Sequence, residues 1–438
     1  MNRIAAVIAG LSLAFVGTSA TIAGTINVPG DYPTIQGAID ASVNGDVINI
    51  AAGTYNEFNL NPRGKAITIQ GTPNGNGTLA TTISAHANEG AAVFLLQLNE
   101  GQGTVIKDLV ITGGSHINGG GGIYCFGSSP TIIGCTITNN TTPTYGGGIA
   151  CLNNSSPTVT NCTITDNTTS SILAGGGISC INNSSPTITD CTISGNNGGG
   201  IYCEFSNPTI TGCMILSNAA NEGGGIYCDA SDPTMTGCTI KGNTPDTHGG
   251  GISCFGDSDA TIIDCTISNN TASTDGGGIV VYNGSSPTIT NCTISSNTSE
   301  RGGGIFVYGP TGSSITMTDC TMSDNVPDMI SAPGTFIINS RSTIGACCLG
   351  GTCITSTESS CTTAGGTYAG DEVICGDAAC PTAINGDIDG DGDFDTDDLN
   401  GLRNSLGICG HDADMDGDTD IEDLLYIVVG WGTFCTTP

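Results

Sequence analysis

Basic residues are scarce in this chain. Lys and Arg total 8 among 438 residues, against 40 Asp and Glu, for a formal net charge of -32. Nucleic-acid binding needs a basic surface that displaces counterions from phosphate, so that class is excluded. Docking on an anionic lipid leaflet is disfavoured for the same reason. Long apolar runs are missing as well. The run Ile4–Val16 follows one Arg and falls short of the ~20 residues that span a bilayer. Small residues come after it. The opening therefore reads as a secretory signal peptide over residues 1–24, cut between Ala20 and Gly24. The expected mature chain is secreted, extracellular or at the cell surface, with no membrane insertion, in a compartment that permits disulfides.

Aromatics are also few, at 5 %, whereas Gly numbers 68 and recurs in one phrase. GGGI begins about every 26 residues, in eight copies from Gly120 to Gly302. One residue further on stands Cys, from Cys125 to Cys254, and then Val281 and Val307 in the last two copies. A polar loop and a segment such as SPTIT lead to a second Cys, from Cys135 to Cys320. Five residues past each second Cys comes an Asn, from Asn140 to Asn325. A repeat of this length and regularity signals a solenoid.

Periodicity decides which solenoid. In GGGIYC the Ile and Cys lie two apart, on one face of a strand. Past the second Cys, Cys and Ile again lie two apart. Before it, the apolar position lies three back, at Ile132, Val159 and their counterparts, the wrong parity for one straight strand. The residue just before that Cys is always Gly, Asn or Asp, which tolerate left-handed backbone, so the chain bends there. The expected fold is all-β, a right-handed parallel β-helix with three strands per rung. Eight clear rungs over residues 119–345 and two or three degenerate ones over 25–118 give 10–11 rungs, a rod roughly 50 Å long at the usual strand spacing. The Asn column is expected to stack its amides at one turn and to take left-handed dihedrals there. N-x-S/T matches at Asn139 and Asn153 arise readily in a Thr- and Asn-rich repeat.

The repeat cysteines read as core thiols. Val281 and Val307 replace the first Cys while Cys292 and Cys320 stay, whereas a bridge within each rung would lose both partners together. The slot wants a small apolar group, and a buried thiol is one. No His or acid recurs beside these positions to make a metal set.

The GGGI and I-x-x-N phrases over residues 119–326 are similar to the repeats of polymorphic outer-membrane proteins, which are right-handed β-helix adhesins. This chain has Ile, and once Met322, where that family has Phe, and it carries no C-terminal membrane barrel segment. Residues 28–57, from Val28 to Glu57, look like the N-terminal cap of secreted β-helix proteins such as pectin methylesterases. A short helix is expected from Pro33 to Ser42 with Ile35, Ala38 and Ile39 on one face, covering the open end of the coil. Polysaccharide chemistry on such a rod needs paired carboxylates with an Arg, or calcium-binding acids with an Arg or Lys base. The repeats hold only Lys241 and Arg301 as bases, on different rungs. His116 and His248 sit in turns with no partner nearby in sequence, and no rung stands out.

The C-terminal part is different. Residues 346–380 carry Cys347, Cys348, Cys353, Cys361, Cys375 and Cys380, and read as a small disulfide-stapled knob with the pairing open. From Pro381 to Pro438 there are 14 acidic residues against one base, Arg403. Within that stretch DIDGDGDFDTDD and DADMDGDTDIED fit the twelve-residue calcium loop. The ligating positions are Asp387, Asp389, Asp391, Asp393, Asp395 and Asp398 in the first loop. In the second they are Asp412, Asp414, Asp416, Asp418, Asp420 and Asp423. Two calcium ions are the expected cofactor. The pair is similar to a type I dockerin, over residues 385–435. That likeness implies a small α-helical, EF-hand-like module and a cohesin-like protein or cell-surface component as partner. Cys409 and Cys435, at the ends of the second unit, are expected to bridge.

Three functions follow from this reading. The first is a secreted, non-catalytic surface for adhesion or glycan contact, tethered by the calcium module. The second is a polysaccharide-active lyase or esterase targeted by the same module; an Asp/Arg or Asp/Lys cluster on one face of the rod is its mark. The third is ice or crystal binding through outward pairs such as Thr136 and Thr138, although Thr also simply favours strands.

Overall fold

A computed structural model describes residues 23–371, except 76, 86–89, 173, 310–311, 328–329, 332–334, 340–343, 350–351, 358–360 and 362–366. The signal segment up to residue 22, Cys375, Cys380, Cys409, Cys435 and both calcium loops, Asp387–Asp398 and Asp412–Asp423, lie outside the described residues.

The chain winds into three long sheets. The first has 13 strands, from Thr25–Val28 onward, and holds the SPTIT segments. The second has 11 strands, in line with the 10–11 rungs expected, and holds the segments after the second Cys. The third holds the GGGI-x-C segments, such as Ile123–Phe126 and Ile226–Asp229. Successive rungs pair in parallel and in register: Ile132 stands on Val159, Ile137 on Ile164 and Ile149 on Ile178. Each sheet turns its Ile and Cys positions inward, so one apolar core runs the length of the rod from Val28 to Ile330. The short helix α1 (Ile35–Ala41) covers the N-terminal end with Ile35, Ala38 and Ile39 buried. Thr34 caps it by accepting from the Gly37 N–H, and the Glu57 carboxylate accepts from the N–H groups of Ile35 and Gln36 at 2.7 and 3.0 Å.

The three corners of the coil are fixed by different residues. At the bend before the second Cys every residue has positive φ, from Gly134 at 61° to Asp319 at 52°. That is the left-handed conformation expected there. At the second corner the Asn column forms one buried amide ladder. Each Nδ2 donates to the next Oδ1, from Asn140 to Asn167 at 3.0 Å through Asn297 to Asn325 at 2.9 Å. Each Oδ1 accepts the preceding backbone N–H as well, as Asn218 does from Asn196 at 3.0 Å. One part of the expectation is corrected here. The Asn residues do not take the left-handed dihedral; their predecessors do, among them Asn139, Asp166, Ser217 and Asp324. The amide has to point inward to bond its neighbours, so the residue before it makes the turn. The third corner carries a ladder that sequence reading missed. Buried serines from Ser128 to Ser285 stack so that each N–H donates to the next hydroxyl, as from Ser155 to Ser184 at 3.1 Å.

All fourteen repeat cysteines are free and buried. Beyond the last parallel rungs the third sheet continues through antiparallel strands Ile344–Leu349, Thr352–Thr357 and Thr367–Asp371. A disulfide joins Cys347 to Cys361, and Cys348 and Cys353, partners across that hairpin, are disulfide-bonded too. The hairpin attaches to the coil where Ile330 pairs with Thr355.

Candidate functional site

The outer face of the third sheet concentrates the chemistry of the repeats. In I-x-C-x the two x positions point outward, yet the first is buried on every rung from Tyr124 to Phe306. The reason is the loop before GGG, which folds back over the strand. At Gly146 an added Cβ would meet the Ile149 carbonyl, so only glycine permits the approach. The residue before GGG therefore lies beside the outward columns. Loop wall and sheet floor make a shallow trough.

Six rings run along this trough. Tyr202 stacks on Tyr227 with centroids 5.5 Å apart, and Tyr227 reaches Phe255 at 6.4 Å. Phe255 meets Tyr282 at 6.4 Å, and Tyr282 lies 6.0 Å from Phe306 and 5.2 Å from Tyr308. Tyr202, Tyr227 and Phe306 are buried, while Phe255, Tyr282 and Tyr308 are half-buried and reach solvent. Five consecutive rungs carry the run, about 19 Å at the usual strand spacing.

Carboxylates stand among the rings. Glu204 and Asp229 are partners on neighbouring rungs, both half-buried. Burial and then the Asp229 charge push the Glu204 carboxyl above its ordinary value, and burial does the same for Asp229. Burial, then the charges of Glu222 and Asp229, holds the Tyr227 phenol well above its usual range.

Two rungs on, the trough holds an ionic cluster. Asp275 is buried, its side chain 1 % exposed, whereas the side chain of Arg301 is 59 % exposed. Arg301 Nη2 donates to Asp275 Oδ2 at 2.8 Å, and Nε lies 2.6 Å from Oδ1 as a charge contact rather than an aligned hydrogen bond. The Tyr282 hydroxyl donates to the same Oδ2 at 2.5 Å, and burial followed by that bond raises its pKa. His248 Nδ1 lies 3.3 Å from Oδ2 and 2.6 Å from the Thr274 hydroxyl. The Arg301 guanidinium sits over the Phe306 ring at 4.8 Å. One buried carboxylate thus orients a guanidinium, a phenol and an imidazole toward the trough.

This overturns the expectation that no rung stands out. His248 and Arg301 have no partner nearby in sequence, but the repeat brings both to Asp275. Glu222, His248, Asp275 and Arg301 each immediately precede GGG on consecutive rungs. Reading that column down the alignment would have found the cluster. Lys241 lies apart, on the outer side of the second sheet, and His116 packs against Tyr124 further up the rod. Among the described residues no group of three or more His, Cys, Asp or Glu side chains is placed to hold a metal ion, and no helix is long and apolar enough to cross a membrane.

A family profile described as a right-handed β-helix region matches residues 69–228 and 176–367. The chain belongs to the right-handed β-helix family. Among solved structures this β-helix is similar to pectate lyase Pel9A, at 11 % identity and a TM-score of 0.37, over 73 % of this chain and 79 % of that one. It is also similar to the A-module of the Azotobacter vinelandii mannuronan C-5 epimerase AlgE6, at 14 % identity and a TM-score of 0.39, over 70 % and 94 %. A third is the Dettilon tailspike protein, at 11 % and 0.43, over 72 % and 68 %. A comparison with curated proteins found no match.

Proposed function

We propose that this β-helix is a secreted glycan-binding protein that holds a polysaccharide along the outer face of its third sheet. The run of rings from Tyr202 to Tyr308, of which Phe255, Tyr282 and Tyr308 reach solvent, and the half-buried carboxylates beside it carry the reading. Aromatic faces take up the apolar C–H face of a sugar ring, and fixed carboxylates accept from its hydroxyls. The chain's charge of -32 disfavours an acidic polymer, so the expected ligand is neutral or bears amino groups. Phe255 makes no hydrogen bond through its side chain. Phe255→Ala therefore removes a ring of the trough, and a packing partner of Tyr282, while taking no hydrogen-bond partner from Asp275. Calorimetry against a panel of soluble polysaccharides is expected to show binding that weakens about tenfold in this variant. Unchanged affinity sinks the reading.

The acidic tail serves as the tether. Its two loops, from Asp387 and from Asp412, hold two calcium ions and dock on a cohesin-like or cell-surface partner. Calcium titration of the full chain is expected to show two ions, lost when Asp389 and Asp414 are both changed to Asn.

A polysaccharide-active enzyme is the second reading, and two observations favour it. The Asp275–Arg301 pair on the trough is the Asp/Arg grouping that such chemistry needs, and two carboxyls stand close by. Glu204 and Asp229 stand on adjacent rungs, and burial followed by the Asp229 charge raises the Glu204 carboxyl, the shift that a general acid needs in glycoside cleavage. Release of new reducing or unsaturated ends by the wild type, abolished in Glu204→Gln, would move the protein into that class.

A further inference from the structure

The cysteine columns show a parity that the core-thiol reading leaves unexplained. The first column holds six consecutive cysteines, Cys125, Cys151, Cys180, Cys203, Cys228 and Cys254, each the register partner of the next. It then changes to Val281 and Val307, which are themselves register partners. The second column holds eight without a break, from Cys135 to Cys320. Both counts are even, and the two missing thiols are vertical neighbours. A bridge within each rung would have removed Cys292 and Cys320 together with them. A bridge between rungs would remove just this pair.

Geometry permits the vertical bridge. In-register parallel neighbours have Cα atoms about 4.8 Å apart, inside the ~4.4–6.8 Å range of disulfides. Each thiol of the second column lies against the backbone of its neighbour: the Cys238 N–H donates to Cys265 Sγ at 3.4 Å and the Cys265 N–H to Cys292 Sγ at 3.3 Å. In the first column Cys180 is the register partner of both Cys151 and Cys203.

We propose that the repeat cysteines are sites of inter-rung disulfide formation, paired vertically along each column. Complete nearest-neighbour pairing is unique. It joins Cys125 to Cys151, Cys180 to Cys203 and Cys228 to Cys254. In the second column it joins Cys135 to Cys162, Cys191 to Cys213, Cys238 to Cys265 and Cys292 to Cys320. Each bridge forms one S–S bond and releases two protons and two electrons. The oxidant is a small-molecule or protein disulfide, which is reduced to two thiols. Exchange takes place while a rung is docking. Afterwards the thiols are buried and closed to an exchange partner. The bridging is independent of what the rod binds.

The test refolds the reduced full chain in a glutathione redox buffer and samples it once Cys347–Cys361 has closed, which shows that oxidant was competent. Denaturing alkylation without reductant, then peptide mapping, reads the pairing. The expected result is no alkylated repeat cysteine, a mass deficit of two hydrogens per bridge, and crosslinked peptides joining the vertical neighbours named. In Cys228→Val, one repeat thiol should alkylate, at Cys254. In the double variant Cys228→Val, Cys254→Val, none should. Full alkylation of the repeat cysteines, or crosslinks within a rung such as Cys125 to Cys135, overturns the proposal.

Discussion

At the residue scale, Asn218 shows how one side chain ties three rungs. Its Oδ1 accepts from the N–H and the Nδ2 of Asn196, both at 3.0 Å, and its own Nδ2 donates to Asn243 and to the Ile193 carbonyl. Asn218→Ala strands these buried donors and acceptors together. The expected loss is about 3–5 kcal/mol in urea unfolding, while Thr239→Ala on the outer face costs under about 0.5 kcal/mol. Glu204 and Asp229 behave in the opposite sense. Their folded pKa values lie above the unfolded ones. Across that window the native chain holds more protons than the unfolded one, so stability falls as pH rises through it. The double variant Glu204→Gln, Asp229→Asn should therefore melt above the wild type at pH 7. That advantage should disappear when both proteins are compared below the ordinary carboxylate range. A gain that persists at low pH would mean that the acids' charge is not its source.

At the scale of the strand and its corner, backbone conformation rather than side-chain packing sets the limits. Gly225 has no positive φ, yet a Cβ there would lie 2.5 Å from the Gly251 carbonyl and 2.9 Å from Ile240 Cγ2. Gly225→Ala is expected to abolish soluble expression or to cost at least about 3 kcal/mol, because the next rung cannot move away. Asp190 sits at φ 51°. A β-branched residue is strained in that region, so Asp190→Val should cost about 1–2 kcal/mol, and Asp190→Gly little. These elements were legible in sequence for a physical reason. Strand parity and left-handed bends each demand a residue type at a fixed place, and the repeat prints that demand eight times. The serine ladder was less legible because Ser is common in polar loops, and only its regular place before the third-to-first corner marks it. The trough was missed because its residues differ from rung to rung. Tyr145, Glu222, His248, Asp275 and Arg301 occupy one column without sharing a chemistry, so a search for recurrence passes over them. The Asn column was half legible: amide stacking follows from the repeat, but which residue makes the turn depends on where the amide must point.

For the whole molecule, the rung is the unit of both stability and function. Each rung contacts its neighbours above and below, so the energetics are close to a sum of rung and interface terms. Deleting Ile226–Gly251 removes one full period. It places Ile252 directly after Gly225, Cys254 over Cys203, Asn270 over Asn218 and Ser258 over Ser206. The Asn and Ser ladders then close again, one rung shorter, while each cysteine column keeps one unpaired thiol. The expected product is a folded rod about 4.8 Å shorter by small-angle scattering, with unchanged circular dichroism per residue. Deleting only Ile226–Cys238 brings second-sheet sequence under the third sheet and should not fold. The one-rung deletion also separates the two parts of the trough. It removes Tyr227, Asp229 and His248, sets Glu222 in the place of His248 before the glycines, and leaves Asp275, Arg301 and Tyr282 together on the rungs below. If the run of rings holds a polymer as a continuous strip, the shortened rod should bind long chains more weakly and short oligosaccharides that fit the lower half almost as well. Equal loss for both lengths would place the binding determinant on the deleted period itself, at Tyr227, Asp229 and His248, and not along the face.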